Sequence, residues 1–353
     1  MSNEALRIIT GLKPIHIKIK ETAELYKIVK GNSYMNLQID HDKLPKQWLH
    51  PADRAITIDE DNTQEDPTHI NIYTDGSKSE QGVGAGIAII RPGTTTVELM
   101  YKMDTRCTNN QAEAFAILKA LEYVQTNLEN DVDKVTTVYT DSRTTLESLH
   151  NMNKHTFLTE EIRRKVQEMG SRGWTTRFRW TNAHAGTTVN ELADKLAKEA
   201  SSKTEIPISY NRIPKSAIKR ELEENSNVTW QKEWETTKKG STTKEYFPTV
   251  AERLQTKINF TQNLTTIVTG HGNIKSYLHR FRIIEAPDCP CGNGNQTVEH
   301  ILFECGILQE ERERLIAAVA KTDNWPIKKR YAYQKALQSI RKIYKNDGQN
   351  KLN

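Results

Sequence analysis

The spacing of apolar positions changes several times along the chain, and each change marks an element. Asn3–Thr10 has helical spacing and stops at Gly11. A second helix opens after Pro14 and runs to Lys30, where Gly31 ends it. From Tyr34 to Pro67 periodicity fades, Pro45, Pro51 and Pro67 interrupt, and acidic residues gather between Asp59 and Asp66, which predicts a linker. Ile70 to Asp75 alternates as a strand does, with Gly76-Ser77 as a turn signal. Gly84–Ile90 and Val97–Lys102 predict two more strands, Asn110–Leu128 a helix, and Val135–Thr140 a fourth strand. Helices are predicted at Ser142–His150 and Thr159–Gly170. A fifth strand is predicted at Trp174–Trp180, with Trp174, Thr176, Phe178 and Trp180 on one face and Arg177 and Arg179 on the other. Asn190–Ser202 closes the series as a helix. Three strands followed by alternating helix and strand predict an α/β fold: a five-stranded mixed sheet flanked by helices. Beyond Pro207 the segments are helical and polar, with Trp230 and Trp234 one turn apart.

At 353 residues the chain exceeds one ordinary core and predicts two or three domains. No run approaches the roughly 18 consecutive apolar residues of a membrane span. The first twenty residues lack the order of a secretory signal. The expectation is an intracellular protein, nuclear or cytoplasmic, with no membrane partner. The net charge of +5 is unevenly placed: Lys321–Asn353 carries nine Lys/Arg against Asp323 and Asp347. That tail, with Trp325, Tyr331, Tyr333 and Tyr344, suits single-stranded nucleic acid through phosphate contact and base stacking. It also suits a solvated amphipathic helix, because Ala336, Leu337, Ile340 and Ile343 recur at helical spacing.

Four acids stand at informative places. Asp75 ends the first strand of the sheet and Asp141 the fourth, so neighbouring strands would bring both carboxylates to one edge. Glu113 shares a helix face with Ala116, Ile117, Ala120, Leu121 and Val124, where a lone carboxylate is costly to bury and a cation would remove the penalty. Asp194 lies off the apolar stripe of the last helix and is free to reach the same pocket. Converging carboxylates repel unless a divalent ion sits among them, and all-oxygen ligation suits Mg²⁺ or Mn²⁺. Two such ions about 4 Å apart activate a water and stabilise a leaving oxygen of a phosphodiester. Each acid alone reads as a surface residue or a cap; the four together favour chemistry.

Cys289, Cys291, His300 and Cys305 offer four ligands of the kind zinc takes in tetrahedral geometry, with Gly292 and Gly294 supplying a tight turn after the first pair. Such a closed site is structural. Val298, Ile301 and Leu302 are helically spaced, which puts His300 and Cys305 on or near a helix. Cys107 stands apart and reads as a small loop residue.

Tyr-Thr-Asp75-Gly-Ser, Thr108-Asn-Asn-Gln-Ala-Glu113, Tyr-Thr-Asp141-Ser and Trp180-Thr-Asn-Ala-His184-Ala-Gly, followed by Asn190-Glu-Leu-Ala-Asp194, resemble the successive motifs of type 1 RNase H over about 130 residues. The resemblance implies a metal site on Asp75, Glu113, Asp141 and Asp194 and a catalytic loop histidine at His184. It also implies substrate contacts from Gly76, Asn109, Asn110, Gln111 and Ser142. The implied substrate is an RNA–DNA hybrid, distinguished by its 2′-OH groups. Val189 departs from the glycine common before Asn-Glu, and no basic handle helix fits between the helices at 142–150 and 159–170. The Cys/His segment, with Gln296 to Cys305, resembles the C-terminal zinc-knuckle-like region of non-LTR retrotransposon polyproteins. Glu4 to Ile15 resembles the stretch between their reverse transcriptase and RNase H. The expected organisation is a helical segment and linker at 1–67, an RNase H domain at 68–203, a helical connector at 204–285, a CCHC motif at 286–310 and a basic tail at 311–353. Two functions fit: a retroelement-derived hybrid endoribonuclease, or a weak or inactive nucleic-acid-binding remnant of a retrotransposon.

Overall fold

The computed structural model describes residues 1–40, 48–50, 56, 58–59, 68–91, 93–129, 134–181 and 188–320. Two compact units emerge: Leu25–Glu221, and Met1–Glu24 together with Leu222–Asn353. The elements begin with α1 (Asn3–Thr10), α2 (Ile15–Gly31), β1 (Ser33–Tyr34), β2 (Leu37–Asp40) and β3 (Ile58–Asp59). Next come β4 (Ile70–Lys78), β5 (Val83–Ile90), β6 (Val97–Met103), α3 (Asn109–Asn127), β7 (Val135–Thr140), α4 (Arg143–His150) and α5 (Phe157–Ser171). They continue through β8 (Thr175–Trp180), α6 (Thr188–Ser202), β9 (Ile208–Tyr210), β10 (Ile213–Pro214) and α7 (Lys215–Thr236). The last are α8 (Ser241–Tyr246), α9 (Val250–Gln255), α10 (Gln262–Thr269), α11 (Lys275–Arg280), a π-helical turn at His300–Glu304 and α12 (Gln309–Ala320).

In the first unit a mixed sheet runs β3-β8-β7-β4-β5-β6-β9. The five predicted strands form its centre, with β4–β5 and β5–β6 antiparallel and β4–β7 and β7–β8 parallel. The sheet has seven strands rather than five, because β3 adds to β8 and β9 adds to β6, both in parallel. Neither short segment carries enough alternation to be legible as a strand. The aperiodic stretch expected as a linker contributes β2 and β3 as well, and β2 pairs with β1 and β10 in a small separate sheet.

Alternation along β4 sorts its side chains between two layers. Ile70 and Ile72 are buried with the α3 residues Ala116, Ile117, Ala120, Leu121 and Val124 in the main core. Tyr73 packs with Ala88, Tyr139 and Ala193 of α6. Gly76-Ser77, expected as a turn, lies inside the strand: the ladder to β5 continues through Gly76↔Ala85 to Lys78↔Val83. The chain reverses only at Ser79–Gly82, where the Ser79 amide donates to the Gly82 carbonyl at 2.9 Å.

In the other unit, Ile8, Ile9, Trp230, Trp234, Phe247 and Val268 form a core. Trp234 buries its indole there and donates to the Phe247 carbonyl at 2.9 Å. Among the described residues no helix is long and apolar enough to cross a membrane. The basic tail from Lys321 onward lies outside the described residues.

Candidate functional site

Strand register delivers the first two acids to one place. Thr74 of β4 pairs with Thr140 of β7, so Asp75 and Asp141 each stand one residue beyond that pair, at the same edge. The helix face delivers the third. Thr108 caps α3 in a capping box with Gln111, which fixes where the first turn begins and sends Glu113 inward. One ligand atom from each of Asp75, Glu113 and Asp141 lies within 4.8 Å of the other two.

Glu113 is 4% exposed. Its Oε1 accepts from Asn109 Nδ2 at 3.3 Å, while the buried Oε2 has no hydrogen-bond partner. Burial, reinforced by the charges of Asp75 and Asp141, pushes the Glu113 carboxyl up to about 9. Burial likewise raises Asp75 to about 7, with the charges of Asp141 and Asp194 adding to it. A pocket of acids that resist ionisation, with one carboxylate oxygen unpartnered, fits a divalent cation as the missing partner. When bound, such an ion polarises a water and a phosphoryl oxygen and offsets the negative charge that develops on the phosphate.

Asp194 joins from the other layer. Gly86 stands opposite Asp75 in the ladder, and a Cβ there would lie 2.2 Å from the Ala193 carbonyl oxygen. The missing side chain lets α6 lie directly on β5, and Asp194 follows Ala193. It falls outside the tight triad and pairs with Lys198 Nζ at 2.7 Å, yet its charge acts on Asp75.

The expected substrate contacts separate into two groups. Asn109 and Asn110 are exposed at the start of α3. Gln111 is buried: its Oε1 accepts from the Thr108 amide at 3.0 Å, and its Nε2 donates to Asp40 and to the Arg212 carbonyl. Gly76 is buried against α3, and the Ser142 hydroxyl caps α4 through the Thr145 amide at 3.3 Å. His184 lies outside the described residues.

Two contacts in this unit had no signal in the sequence. Trp180 donates its indole N–H to the Asp141 carbonyl at 3.1 Å, and the Arg143 guanidinium lies 4.1 Å from its ring centroid. Asp40, from the aperiodic stretch before the nuclease motifs, accepts from Gln111 and from the Tyr210 hydroxyl. Both depend on pairings between residues far apart in the chain.

The Cys/His residues also converge. Ligand atoms of Cys289, Cys291, His300 and Cys305 all lie within 4.8 Å of one another. Cys289 Sγ is 3.8 Å from Cys305 Sγ, and Cys291 Sγ is 3.1 Å from His300 Nε2. Gly292 and Gly294 take φ of 77° and 101°, as the turn after the first pair requires. His300 sits on the π-helical turn, and its Nδ1 meets Glu304 Oε2 at 3.4 Å, so Nε2 faces the thiols. Hydrogen bonding, led by the Asn293 amide, lowers the Cys291 thiol to about 6, while burial raises Cys289 to about 11. Cys107 is buried and belongs to neither cluster, and burial pushes its thiol up to about 12.

A sequence profile of the RNase H family matches residues 67–202. The chain is 27% identical over 183 residues to a retrovirus-related Pol polyprotein from the type-1 retrotransposable element R1 of Popillia japonica, covering 50% of this chain and 69% of that protein. Its match to the R1 Pol polyprotein of Bradysia coprophila, 33% identical over 99 residues, covers 28% of this chain and 10% of the relative. To the ribonuclease H of Bartonella quintana (strain Toulouse) it is 31% identical over 144 residues, covering 37% of this chain and 88% of that protein. Among solved structures, RNase H1 from the halophilic archaeon Halobacterium salinarum NRC-1 aligns at 24% identity over 37% of this chain and 96% of its own, with a TM-score of 0.29. The chain therefore belongs to the ribonuclease H family, a ribonuclease H enzyme homologous to the R1 non-LTR retrotransposon Pol polyproteins.

Proposed function

We propose that the domain at 68–203 cuts the RNA strand of RNA–DNA hybrids internally, with two Mg²⁺ or Mn²⁺ ions held by Asp75, Glu113, Asp141 and Asp194, in a protein of retroelement descent. The observation that carries this reading is the convergence of three carboxylates from β4, α3 and the end of β7, with the buried Glu113 Oε2 unpartnered. Zinc on Cys289, Cys291, His300 and Cys305 would hold the C-terminal segment together and take no part in the reaction.

The residues divide the work. Asp75 and Glu113 would hold the cations through their carboxylate oxygens, and Asn109, donating to Glu113 Oε1, orients that carboxylate. Asp194 approaches from α6 with Lys198 beside it. Asn109 and Asn110 are exposed at the positive end of the α3 dipole and would meet the hybrid backbone. A 2′-OH next to the cleaved bond distinguishes RNA from DNA, and His184 would assist proton transfer or product release. Homology to R1 Pol polyproteins supports the retroelement descent.

The test is cleavage of an end-labelled RNA–DNA hybrid with Mg²⁺, beside double-stranded RNA and duplex DNA. Expected are internal cuts confined to the RNA strand of the hybrid, reduced roughly a hundredfold or more by Glu113→Gln. Hybrid binding without cutting, in either Mg²⁺ or Mn²⁺, would overturn the catalytic reading and favour a binding remnant.

A further inference from the structure

We infer that α11 and the turn after it form a binding surface for single-stranded nucleic acid, with Phe281 as the stacking platform and Arg280 and Arg282 as the phosphate contacts. The inference concerns the unit that lacks the carboxylate site and does not rest on the hydrolytic reading.

The turn is an unusual one. The Ile283 amide donates to the Leu278 carbonyl at 3.0 Å and the Arg282 amide to the His279 carbonyl at 2.8 Å. This is the pair of bonds by which a helix ends on a left-handed residue, a position normally given to glycine. Here it is Arg282, at φ 58°. A side chain there is strained, and strain of this kind gathers at binding and catalytic sites. The hydrophobic contact that usually accompanies such an ending is also unused. Ile283, which would fold back on Leu278, is 65% exposed, and Phe281 between the two arginines is 57% exposed.

What the turn displays is a ring between cations. Phe281 lies 4.9 Å from Tyr277, which lies 4.8 Å from His271, a short aromatic ladder. The Arg280 guanidinium stands 5.9 Å from the Phe281 ring. Lys275, His279, Arg280 and Arg282 fall in a stretch, Lys275 to Ile284, with no acidic residue. A cavity of about 320 Å³ opens beside it, walled by Tyr277, Arg280, Ser276, Thr242 and the acids Glu245 and Glu299.

Charge complementarity selects the occupant. Cations alternating with exposed aromatic and aliphatic tips match a polyanion whose bases are unpaired, because phosphates meet the guanidinium groups while a base stacks on Phe281. The rings of a duplex are stacked internally and offer Phe281 nothing. The two acids keep phosphates out of the cavity and leave it to a base.

The experiment measures binding of a fluorescent dT20 strand, and of a duplex of the same length, to the full chain by anisotropy across salt concentrations. Phe281→Ala should weaken dT20 binding by about fivefold or more and leave the duplex unchanged, with Phe281→Trp restoring affinity. The Arg280→Ala, Arg282→Ala double variant should lower the slope of log K against log salt by about 1.4 for dT20, the counterions of two phosphates on a single strand. Zinc content and thermal midpoint of each variant check that it is folded. Unchanged dT20 affinity and slope in folded variants would overturn the proposal. So would self-association in sedimentation that Phe281→Ala abolishes while dT20 binding stays constant, since a second copy would then be the occupant.

Discussion

A Cβ on Gly76 would lie 2.6 Å from the backbone nitrogen of Glu113 and 2.9 Å from Ala112 Cβ. Strand β4 therefore rests on the first turn of α3 with no side chain between them, and this contact brings Asp75 and Glu113 to one point. An alanine at 76 must push the helix away or distort the strand. Gly76→Ala should destabilise the fold by about 1–3 kcal/mol, as overpacking does, and cut hybrid cleavage more than tenfold. Thermal denaturation and single-turnover rates measure the two effects. A full cleavage rate would show that the metal site does not depend on this approach.

The acids also make stability depend on pH in a definite direction. Burial and mutual repulsion raise Asp75 from 3.8 to about 7 and Glu113 from 4.5 to about 9 in the metal-free fold. The folded state then holds more protons than the unfolded one, so stability is fullest below about pH 4 for these groups and declines as pH rises toward 9. Cations that pair with the ionised acids reverse the loss. Added Mg²⁺ should raise the thermal midpoint clearly at pH 8 and little at pH 5. Glu113→Gln, a neutral side chain of the same shape, should stabilise the metal-free protein at pH 8 by roughly 1–2 kcal/mol while lowering cleavage to the extent given above. An equal magnesium shift at both pH values would contradict the assignment.

The parts of this site legible in the sequence are those set by short-range periodicity. Asp141 just past a strand end and Glu113 on an apolar helix face follow from alternation and helical spacing, and the strand boundaries at Val135 and Thr140 agree with the pattern; Asp75, expected at a strand end, lies within β4, which runs on to Lys78. At Gly76 the structure departs from the expected turn for a physical reason. Glycine signals a turn and a close approach alike, and only the packing partner, here α3, tells which. The resemblance implies a substrate contact from Gln111, whereas in the structure its amide serves the capping box and Asp40. Asp40 and the bond from Trp180 to the Asp141 carbonyl carry no signal, since the partners lie 71 and 39 positions away.

Asp40 bears on where the nuclease domain ends. Its carboxylate, raised chiefly by burial, accepts from Gln111 Nε2 and from the Tyr210 hydroxyl at 3.4 Å. Through Gln111 it steadies the turn of α3 that leads into Glu113. Neither Asp40 nor Tyr210 falls within residues 67–202. A fragment of residues 68–203 should therefore be less stable than one of 25–221. Asp40→Ala in the longer fragment, which leaves buried donors unpaired, should reproduce about 1–3 kcal/mol of the difference. Equal thermal midpoints for the two fragments would confine the domain to its family boundaries.

The Cys/His cluster makes a separate demand on the C-terminal segment. The core around it is small: Ile274, Ile301 and Leu308 are its buried aliphatic side chains, packed with Cys289 and Cys305. So few side chains cannot hold an irregular segment of loops, a π-helical turn and short helices, and a structural metal is the usual remedy. Cys291, at about 6, is poised to bind as thiolate, while Cys289, at about 11, gives up its proton only to a metal. Metal capture should therefore release protons, and acidification should release metal. Purified protein is expected to hold one zinc per chain by elemental analysis, and Cys305→Ser should lose it. Hydrogen exchange should then show protection lost from 274–308 while β4, β5 and β7 remain protected. Zinc-free protein with full protection across that segment would show that the side chains suffice without the ion.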